Sequence, residues 1–339
     1  MLEDPGLDGP ELRRGLRTAY GIEATASRFV RGYDLRAASY EMVGAGGPWF
    51  VKVRLGPFPE PPLEVPRALL DAGVPNVLAP LRTTEGGLAE PIGDDRSAVV
   101  YPFVPGRNAM DAGMTAEQWR TFGSTLRAVH DSGLERELAD RLPAEVFALP
   151  SARDLRSVLS QRPVVDSPVA ERLRSSLDAQ AGRIGHLLER AEELGERLAH
   201  RHFERVLCHA DIHAANILVA DDGRILLVDW DGPMLAPRER DLMFVIGSRI
   251  ARSVEPEEEA WYFAGYGDVA VDPEVIVYFR HERMFEDIAV DAASVFGDPA
   301  LPEPSRASQA DTIERYFAPG GFADSIDEVK ALPRDERFG

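Results

Sequence analysis

Cysteine is almost absent from this sequence, which has only Cys208 among 339 residues. A single thiol excludes an intramolecular disulfide and fits a reducing compartment. The sequence also lacks a run of about 18 apolar residues, the length that a membrane-spanning helix needs, and an N-terminal apolar segment of the signal-peptide type. We therefore expect a cytoplasmic protein that has no membrane partner and no obligatory protein partner.

Lysine is nearly as scarce, because 36 of the 38 basic residues are arginine and the others are Lys52 and Lys330. Lys52 lies in the run Trp49–Val53, which reads as a half-buried strand where a charge needs a partner. A compact ammonium fits between phosphate groups in a crowded strand better than a planar guanidinium does. Lys52 is therefore a candidate phosphate contact. The alternative is a lysine that extends to solvent from an edge strand.

Positive charge as a whole is deficient, and the formal net charge is -19. This charge argues against nucleic acid as a partner, because nucleic-acid binding relies on cationic contacts to phosphate. A cationic small molecule is favoured instead, and acidic side chains such as Glu282, Glu286 and Asp287 are available to it. The alternative is that the acidic excess simply keeps the protein in solution.

The chain exceeds the roughly 250 to 300 residues at which a single core stops growing, so two lobes are expected. Strand-like runs before Pro105 predict a small antiparallel sheet; they are residues 26–30, 39–43, 49–55, 77–82 and 98–103. Beyond Gly106 the apolar periodicity is helical, beginning with a capping box at Thr115 and Gln118. We predict an α+β fold with an N-terminal lobe at 1–103 and a mainly helical lobe at 104–339.

The segment 209–229 carries the strongest chemical pattern. Two short apolar runs flank Asp222-Gly223, a hairpin turn signal. Asn216 and Asp229 are equidistant from this turn, so an antiparallel pair is predicted to bring them face to face. An amide oxygen and a carboxylate suit Mg²⁺, which prefers hard oxygen ligands. A competing interpretation is a Zn²⁺ hydrolase, since His209, Asp211 and His213 alternate and would share one face of a strand.

The sequence His209-Ala-Asp211-Ile-His213-Ala-Ala-Asn216, followed by Asp229 and an upstream strand lysine, resembles the protein-kinase-like superfamily. The closer resemblance is to the aminoglycoside phosphotransferases, and among them to the spectinomycin phosphotransferases. It implies a bilobal kinase-like fold that uses ATP and Mg²⁺. It also implies that Asp211 is the catalytic aspartate, and that Asn216 and Asp229 hold the metal.

The same resemblance assigns the nucleotide contacts. Lys52 is expected to bind the α- and β-phosphates, with Glu64 as its nearest candidate partner, although Pro66 indicates that Glu64 precedes the helix. The hinge is expected at 100–106, where the carbonyl of Pro102 and the N–H of Val104 match the adenine edge.

Other expected contacts are less well marked. Ser39 ends a phosphate loop, residues 31–39, that has one glycine and lacks the G-x-G-x-x-G pattern. Asp231 and His213 are candidate substrate contacts. The expected activity is phosphorylation of a hydroxyl on a cationic aminocyclitol, with spectinomycin favoured. The alternatives are a metabolic kinase for choline, homoserine or methylthioribose, and a nucleotide-binding pseudokinase.

Overall fold

The computed structural model describes residues 4–31 and 37–329. The chain divides into two compact units: unit 1 contains residues 1–143, 209–234 and 261–267, and unit 2 contains residues 144–208, 235–260 and 268–339. Unit 1 is therefore larger than the predicted N-terminal lobe, because the segment with the catalytic pattern returns to it. The predicted lobe boundary at residue 103 stays a prediction.

An antiparallel sheet forms the N-terminal part of unit 1, and its described strands lie in the order β1-β2-β3-β5-β4. They are β1 (Ala24–Val30), β2 (Ala37–Gly44), β3 (Gly47–Leu55), β4 (Glu90–Ile92) and β5 (Arg96–Pro102). Alternate residues, such as Tyr40, Met42, Val51 and Val53, are fully buried. Helix α1 (Pro10–Tyr20) adds Leu12 and Leu16 to the same core. The prediction of an α+β fold with a small antiparallel sheet is confirmed.

The predicted strand at 77–82 is wrong. In this segment only Val77 makes a bridge, with Leu227, and the backbone then divides its hydrogen bonds between two partners. Leu78 N donates to Leu227 O and Leu81 N donates to Val100 O. Pro80 lies between these donors and has no N–H, so a continuous ladder cannot form there.

The remaining elements of unit 1 are short helices and a second small sheet. The helices are α2 (Pro61–Asp71), α3 (Ala109–Ala112) and α4 (Ala116–His130). The sheet has the order β6-β8-β9, with β6 (Gly106–Asn108), β8 (Ile217–Ala220) and β9 (Ile225–Leu227). The predicted capping box is confirmed, because Thr115 and Gln118 each accept a hydrogen bond from the other's backbone N–H.

Unit 2 is mainly helical. Its helices are α5 (Pro150–Ser160), α6 (Pro168–Ala179), α7 (Ala181–Ala199), α8 (Glu239–Leu242), α10 (Pro273–Gly297), α11 (Glu303–Phe317) and α12 (Phe322–Ser325). Strands β7 (Val206–Cys208) and β10 (Met234–Ala236) pair with each other. Helix α9 (Pro256–Tyr266) begins in unit 2 and ends in unit 1. Among residues 4–31 and 37–329, no helix combines the length and apolarity needed to cross a membrane.

Helix α4 and the end of α9 approach closely within unit 1 because each has a glycine at the crossing. A Cβ on Gly265 would lie 1.9 Å from the carbonyl oxygen of Arg120, and one on Gly123 would lie 2.1 Å from that of Tyr262. Neither oxygen belongs to a flexible side chain, so the helices themselves would have to separate. The crossing therefore requires glycine at both positions.

Gly265→Ala is expected to destabilise the protein by about 1–3 kcal/mol, the usual cost of overpacking a well-packed contact. The matched control is Gly185→Ala in the second turn of α7, where an added Cβ meets nothing within 4 Å. That change is expected to stabilise by up to about 1 kcal/mol, because alanine is the better helix former. Melting temperatures of the two variants should therefore move in opposite directions. A common shift would contradict the packing argument.

Candidate active site

His209 anchors the segment that contains Asp211. The imidazole is fully buried, and its Nε2 lies 2.9 Å from the carbonyl oxygen of Val228. Its Nδ1 accepts a hydrogen bond from the backbone N–H of Asp211 at 3.4 Å. Nε2 is therefore the protonated nitrogen. With both ring nitrogens bound to backbone, His209 is not placed as a Zn²⁺ ligand, which removes the basis of the hydrolase interpretation.

The backbone between His209 and Asp211 turns sharply. Ala210 has a φ of 68°, in the left-handed region that residues other than glycine seldom adopt. Such strain persists only where the surroundings impose it, and it concentrates at functional sites. Here the two hydrogen bonds of His209 hold the turn. The Asp211 side chain is 34% exposed and remains accessible to a ligand.

Two side chains face the carboxylate of Asp211, one beside each oxygen. Asn216 Nδ2 lies 3.4 Å from Oδ2 and also donates to the Asp211 carbonyl at 2.8 Å. His213 Nε2 lies 3.5 Å from Oδ1, while its Nδ1 accepts from the N–H of Ala215. His213, predicted as a substrate contact, is thus placed to orient Asp211. The structure brings three of the predicted site residues together.

The hairpin after Asn216 has a different register from the predicted one. Ile217 pairs with Leu227, and Ala220 N donates to Arg224 O across a three-residue loop, 221–223. Gly223 provides the positive φ, 88°, that this loop requires. An odd number of loop residues moves the centre of the hairpin by half a residue. Asn216 consequently accepts a hydrogen bond from Val228 N, and the prediction that it directly opposes Asp229 is wrong.

Asp229 nevertheless contributes its carboxylate to the site, because the backbone changes direction at this residue. Its φ is 64°, again left-handed in a residue other than glycine. Lys52 Nζ donates to Asp229 Oδ1 at 3.2 Å. Burial by itself lowers the pKa of Lys52, but the nearby carboxylates of Asp229 and Asp231 outweigh it, and the pKa is raised. The ammonium is therefore charged throughout the physiological range.

The sheet places two further side chains beside Lys52. Ser39 is its partner across the β2–β3 ladder, and facing residues in such a pair point to the same side. Tyr101 is paired with Phe50, two residues before Lys52, and so shares that face. Burial raises the pKa of Tyr101 to about 12, and Asp231 and Asp229 add to this rise, while the ammonium of Lys52 opposes it. The sequence analysis placed Tyr101 only in the predicted strand 98–103 and the predicted hinge 100–106, and missed it as a neighbour of Lys52.

Glu64 takes a partner other than the expected lysine. It lies inside α2, so the expectation that Pro66 would delay the helix is wrong. Pro66 lies inside the helix, five residues after Pro61, and because it has no N–H one backbone hydrogen bond of the helix is missing there. The Glu64 carboxylate accepts a hydrogen bond from Arg141 at 2.9 Å, whereas the ion pair of Lys52 is with Asp229. Arg141 carried no signal in the sequence.

The predicted hinge leaves the sheet as expected. Pro102 is the last residue of β5 and pairs with Trp49. Val104 follows outside any strand, and its N–H forms no hydrogen bond within the part of the chain that the structure describes. A free donor at this position suits a purine edge.

Two other predicted contacts remain. In the predicted phosphate loop, residues 32–36 lie outside the described residues. Asp231, the second candidate substrate contact, is exposed.

Comparisons with known proteins identify the family and the fold of this chain. A sequence model of the phosphotransferase enzyme family matches residues 36–278, more than half of the chain. Protein StrN of Streptomyces griseus is 32% identical over 204 residues, which are 58% of this chain and 63% of that protein. The match thus spans less than two thirds of the length of StrN.

Two solved structures are similar over nearly the whole chain. Spectinomycin phosphotransferase in complex with ADP and spectinomycin is 29% identical and has a TM-score of 0.82, with 94% of this chain and 96% of that one covered. An aminoglycoside phosphotransferase from Alicyclobacillus acidocaldarius is 16% identical, with a TM-score of 0.53 and coverage of 91% and 94%. The second likeness supports the fold alone. The predicted kinase-like fold is confirmed.

Proposed function

This chain belongs to the phosphotransferase enzyme family, and from that premise we propose that it transfers the γ-phosphoryl group of ATP to a hydroxyl of a cationic aminocyclitol, spectinomycin in the first place. The observation that carries the proposal is the cluster in unit 1 where Lys52 contacts Asp229 and where Asn216 contacts Asp211. It combines a cation for phosphate, two oxygen-bearing side chains for a metal, and an accessible carboxylate.

The donor set fits Mg²⁺. Asp229 supplies a carboxylate and Asn216 an amide oxygen, since its Nδ2 already donates to Asp211. When bound, the metal would neutralise charge on the β- and γ-phosphates. The carboxylate of Asp229, now paired with Lys52, would then serve the metal, which leaves the ammonium for the phosphates. Lys52 and Ser39, adjacent across the ladder, would hold those phosphates in place.

Asp211 has the role of positioning the acceptor hydroxyl and taking its proton. Its carboxylate accepts the O–H of the substrate and aims that oxygen at the γ-phosphate, where in-line geometry contributes most of the rate. The N–H groups of His213 and Asn216 fix the orientation of the carboxylate. At the hinge, Val104 N–H would donate to adenine.

The choice of substrate rests on two further observations. The solved structure with 29% identity is a spectinomycin phosphotransferase that contains ADP and spectinomycin. The net charge of -19 favours a cationic acceptor over an anionic one. The test is Mg²⁺-dependent ADP release with spectinomycin, streptomycin, kanamycin, choline, homoserine and methylthioribose as acceptors. A kcat/KM for choline above that for spectinomycin would replace the substrate proposed here.

Lys52→Arg is expected to retain nucleotide binding and to lose most turnover, by about 10²-fold, because a displaced phosphate contact weakens stabilisation of the transition state. The matched control is Arg54→Lys, two residues along the same strand, where the guanidinium lies over the ring of Phe58. Its kcat should stay within about twofold of wild type. Near-normal turnover in Lys52→Arg would remove the lysine from the mechanism.

A further inference from the structure

The segment 76–81, which we call the connector, covers one edge of the small sheet that leads to Asp229. Strand β9 is the last strand in the order β6-β8-β9, so the outer backbone groups of Leu227 point away from β8. The connector supplies partners for both: Leu227 N donates to Asn76 O at 2.8 Å, and Leu78 N donates to Leu227 O at 3.1 Å. Because buried backbone groups need such partners, the connector fixes the backbone two residues before Asp229.

The other end of the connector meets the strand that leads to the hinge. Leu81 N donates to the carbonyl of Val100 at 2.7 Å, and Val100 lies two residues before Pro102, the predicted hinge acceptor. Between the two ends lie Ala79 and Pro80, which are both buried, and the proline ring restricts the backbone there. The connector is therefore a short, buried link between the purine end and the metal end of the proposed nucleotide site.

Asn76 begins the connector with a backbone conformation that residues other than glycine seldom adopt. Its φ is 57°, and within the described part of unit 1 only Ala210 and Asp229 share a left-handed φ among residues other than glycine. Both of those residues belong to the candidate active site. Asparagine tolerates this region better than most residues, but the conformation persists only where the surroundings impose it. The turn at Asn76 therefore needs a contact that holds it.

The hydroxyl of Thr125 provides that contact. Asn76 Nδ2 donates to Thr125 Oγ1 at 2.9 Å. Thr125 is fully buried on α4, the helix that begins with the capping box. The helix is thus the base against which the connector is held. The order of contacts runs from α4 to Asn76, from Asn76 to β9, and from the end of β9 to Asp229.

We infer that Asn76 and Thr125 are positioning residues for Asp229. Their hydrogen bond holds the connector, and the connector holds β9 so that the carboxylate of Asp229 meets the metal. On the opposite side of the strand, Val228 N donates to the carbonyl of Asn216 at 3.0 Å, so the backbone before Asp229 is fixed from two sides. The inference rests on the proposed function, because that function assigns Mg²⁺ to Asp229.

The test is calorimetric titration of the full chain with ATP, once with Mg²⁺ and once with EDTA. The ratio of the two dissociation constants, the Mg²⁺ factor, measures how strongly the metal supports nucleotide binding without any turnover. Thr125→Val keeps the shape of the side chain and removes the acceptor of Asn76. We expect it to reduce the Mg²⁺ factor about 3- to 10-fold, less than the 10- to 100-fold for a direct partner of a metal ligand, because the connector acts through one further step. Affinity in EDTA should match that of wild type.

Two further variants of α4 separate positioning from a loss of stability. Thr125→Ser keeps a hydroxyl for Asn76 and is expected to retain the wild-type Mg²⁺ factor. Thr121→Val, one turn earlier, removes a hydroxyl that donates to the carbonyl of Glu117 at 2.9 Å, and it should also leave the factor unchanged. A purely structural role of Thr125 would lower the melting temperature and the fraction of protein that binds ATP, but it would not change the ratio of the two constants.

Hydrogen exchange of the nucleotide-free protein gives a second readout that does not involve the metal. The amides of Leu78 and Leu227 should exchange faster in Thr125→Val than in wild type, since both belong to the hydrogen bonds of the connector. Unchanged exchange at these amides, or a wild-type Mg²⁺ factor in Thr125→Val, would overturn the inference and leave the proposed function intact. Wild-type ATP binding that does not depend on Mg²⁺ would contradict the proposed function and this inference together.

Discussion

Asp211→Asn is expected to lower kcat by about 10²- to 10⁴-fold, the range for loss of a positioned acid or base. Asparagine has nearly the same shape, so the hydrogen bond from the backbone of residue 211 to His209 should remain. What is lost is the negative charge that accepts the substrate proton. The measurement is single-turnover phosphoryl transfer, because it isolates the chemical step from product release.

The control for this variant is the affinity for ATP, which should stay within about threefold of wild type, since Asp211 has no proposed role in binding nucleotide. Loss of ATP binding together with kcat would indicate a structural defect in the loop held by Ala210 and His209. Unchanged turnover would show that the catalytic assignment of Asp211 is wrong. Measuring ATP affinity and turnover on the same preparation distinguishes both of these results from the expected one.

Asp229→Asn is expected to cost at least about 100-fold in turnover at a fixed, moderate Mg²⁺ concentration. Mutation of a residue that only hydrogen-bonds to a metal ligand already changes metal affinity about 10- to 100-fold, so loss of a charged ligand should cost no less. Added Mg²⁺ should recover part of the activity, because the amide of the new residue can still bind weakly. The measurement is kcat as a function of Mg²⁺ concentration.

Asp222→Asn is the matched control, because it removes a carboxylate from the tip of the same hairpin, where Asp222 pairs with Arg224. Its Mg²⁺ dependence should superimpose on that of wild type. Burial is slight there, and the pKa of Asp222 is lowered mainly by its hydrogen bond to Arg224. If Asp229→Asn showed the wild-type Mg²⁺ dependence, Asp229 would not be a metal ligand.

Local rules predicted much of the fold. The strand-like runs at 39–43 and 49–55 identified two adjacent strands, and the capping box at Thr115 identified the start of α4. The scarcity of lysine singled out Lys52, whose ion pair with Asp229 joins positions 177 residues apart. The strands and the helix start depend on a residue and its near neighbours, and the scarcity of lysine is a property of the composition. A reader of the sequence can therefore recover them without knowing the tertiary structure.

The errors concern features that sequence spacing does not determine. The hairpin register depended on whether the loop between Ala220 and Arg224 has two residues or three, a choice of backbone conformation. The left-handed turn at Asp229 then returned the carboxylate to the site. The partner of Glu64 is Arg141, which is 77 residues away and follows no pattern. Only the folded chain specifies such contacts.

The central claim is phosphoryl transfer to a hydroxyl, and product identification after incubation of the full chain with γ-labelled ATP, Mg²⁺ and spectinomycin tests it most directly. We predict a product heavier than spectinomycin by one phosphate, with the label in an O-linked phosphate ester and no product from the Asp211→Asn variant in the same time. Unmodified spectinomycin, with the label recovered only in ATP or as inorganic phosphate, would contradict the account.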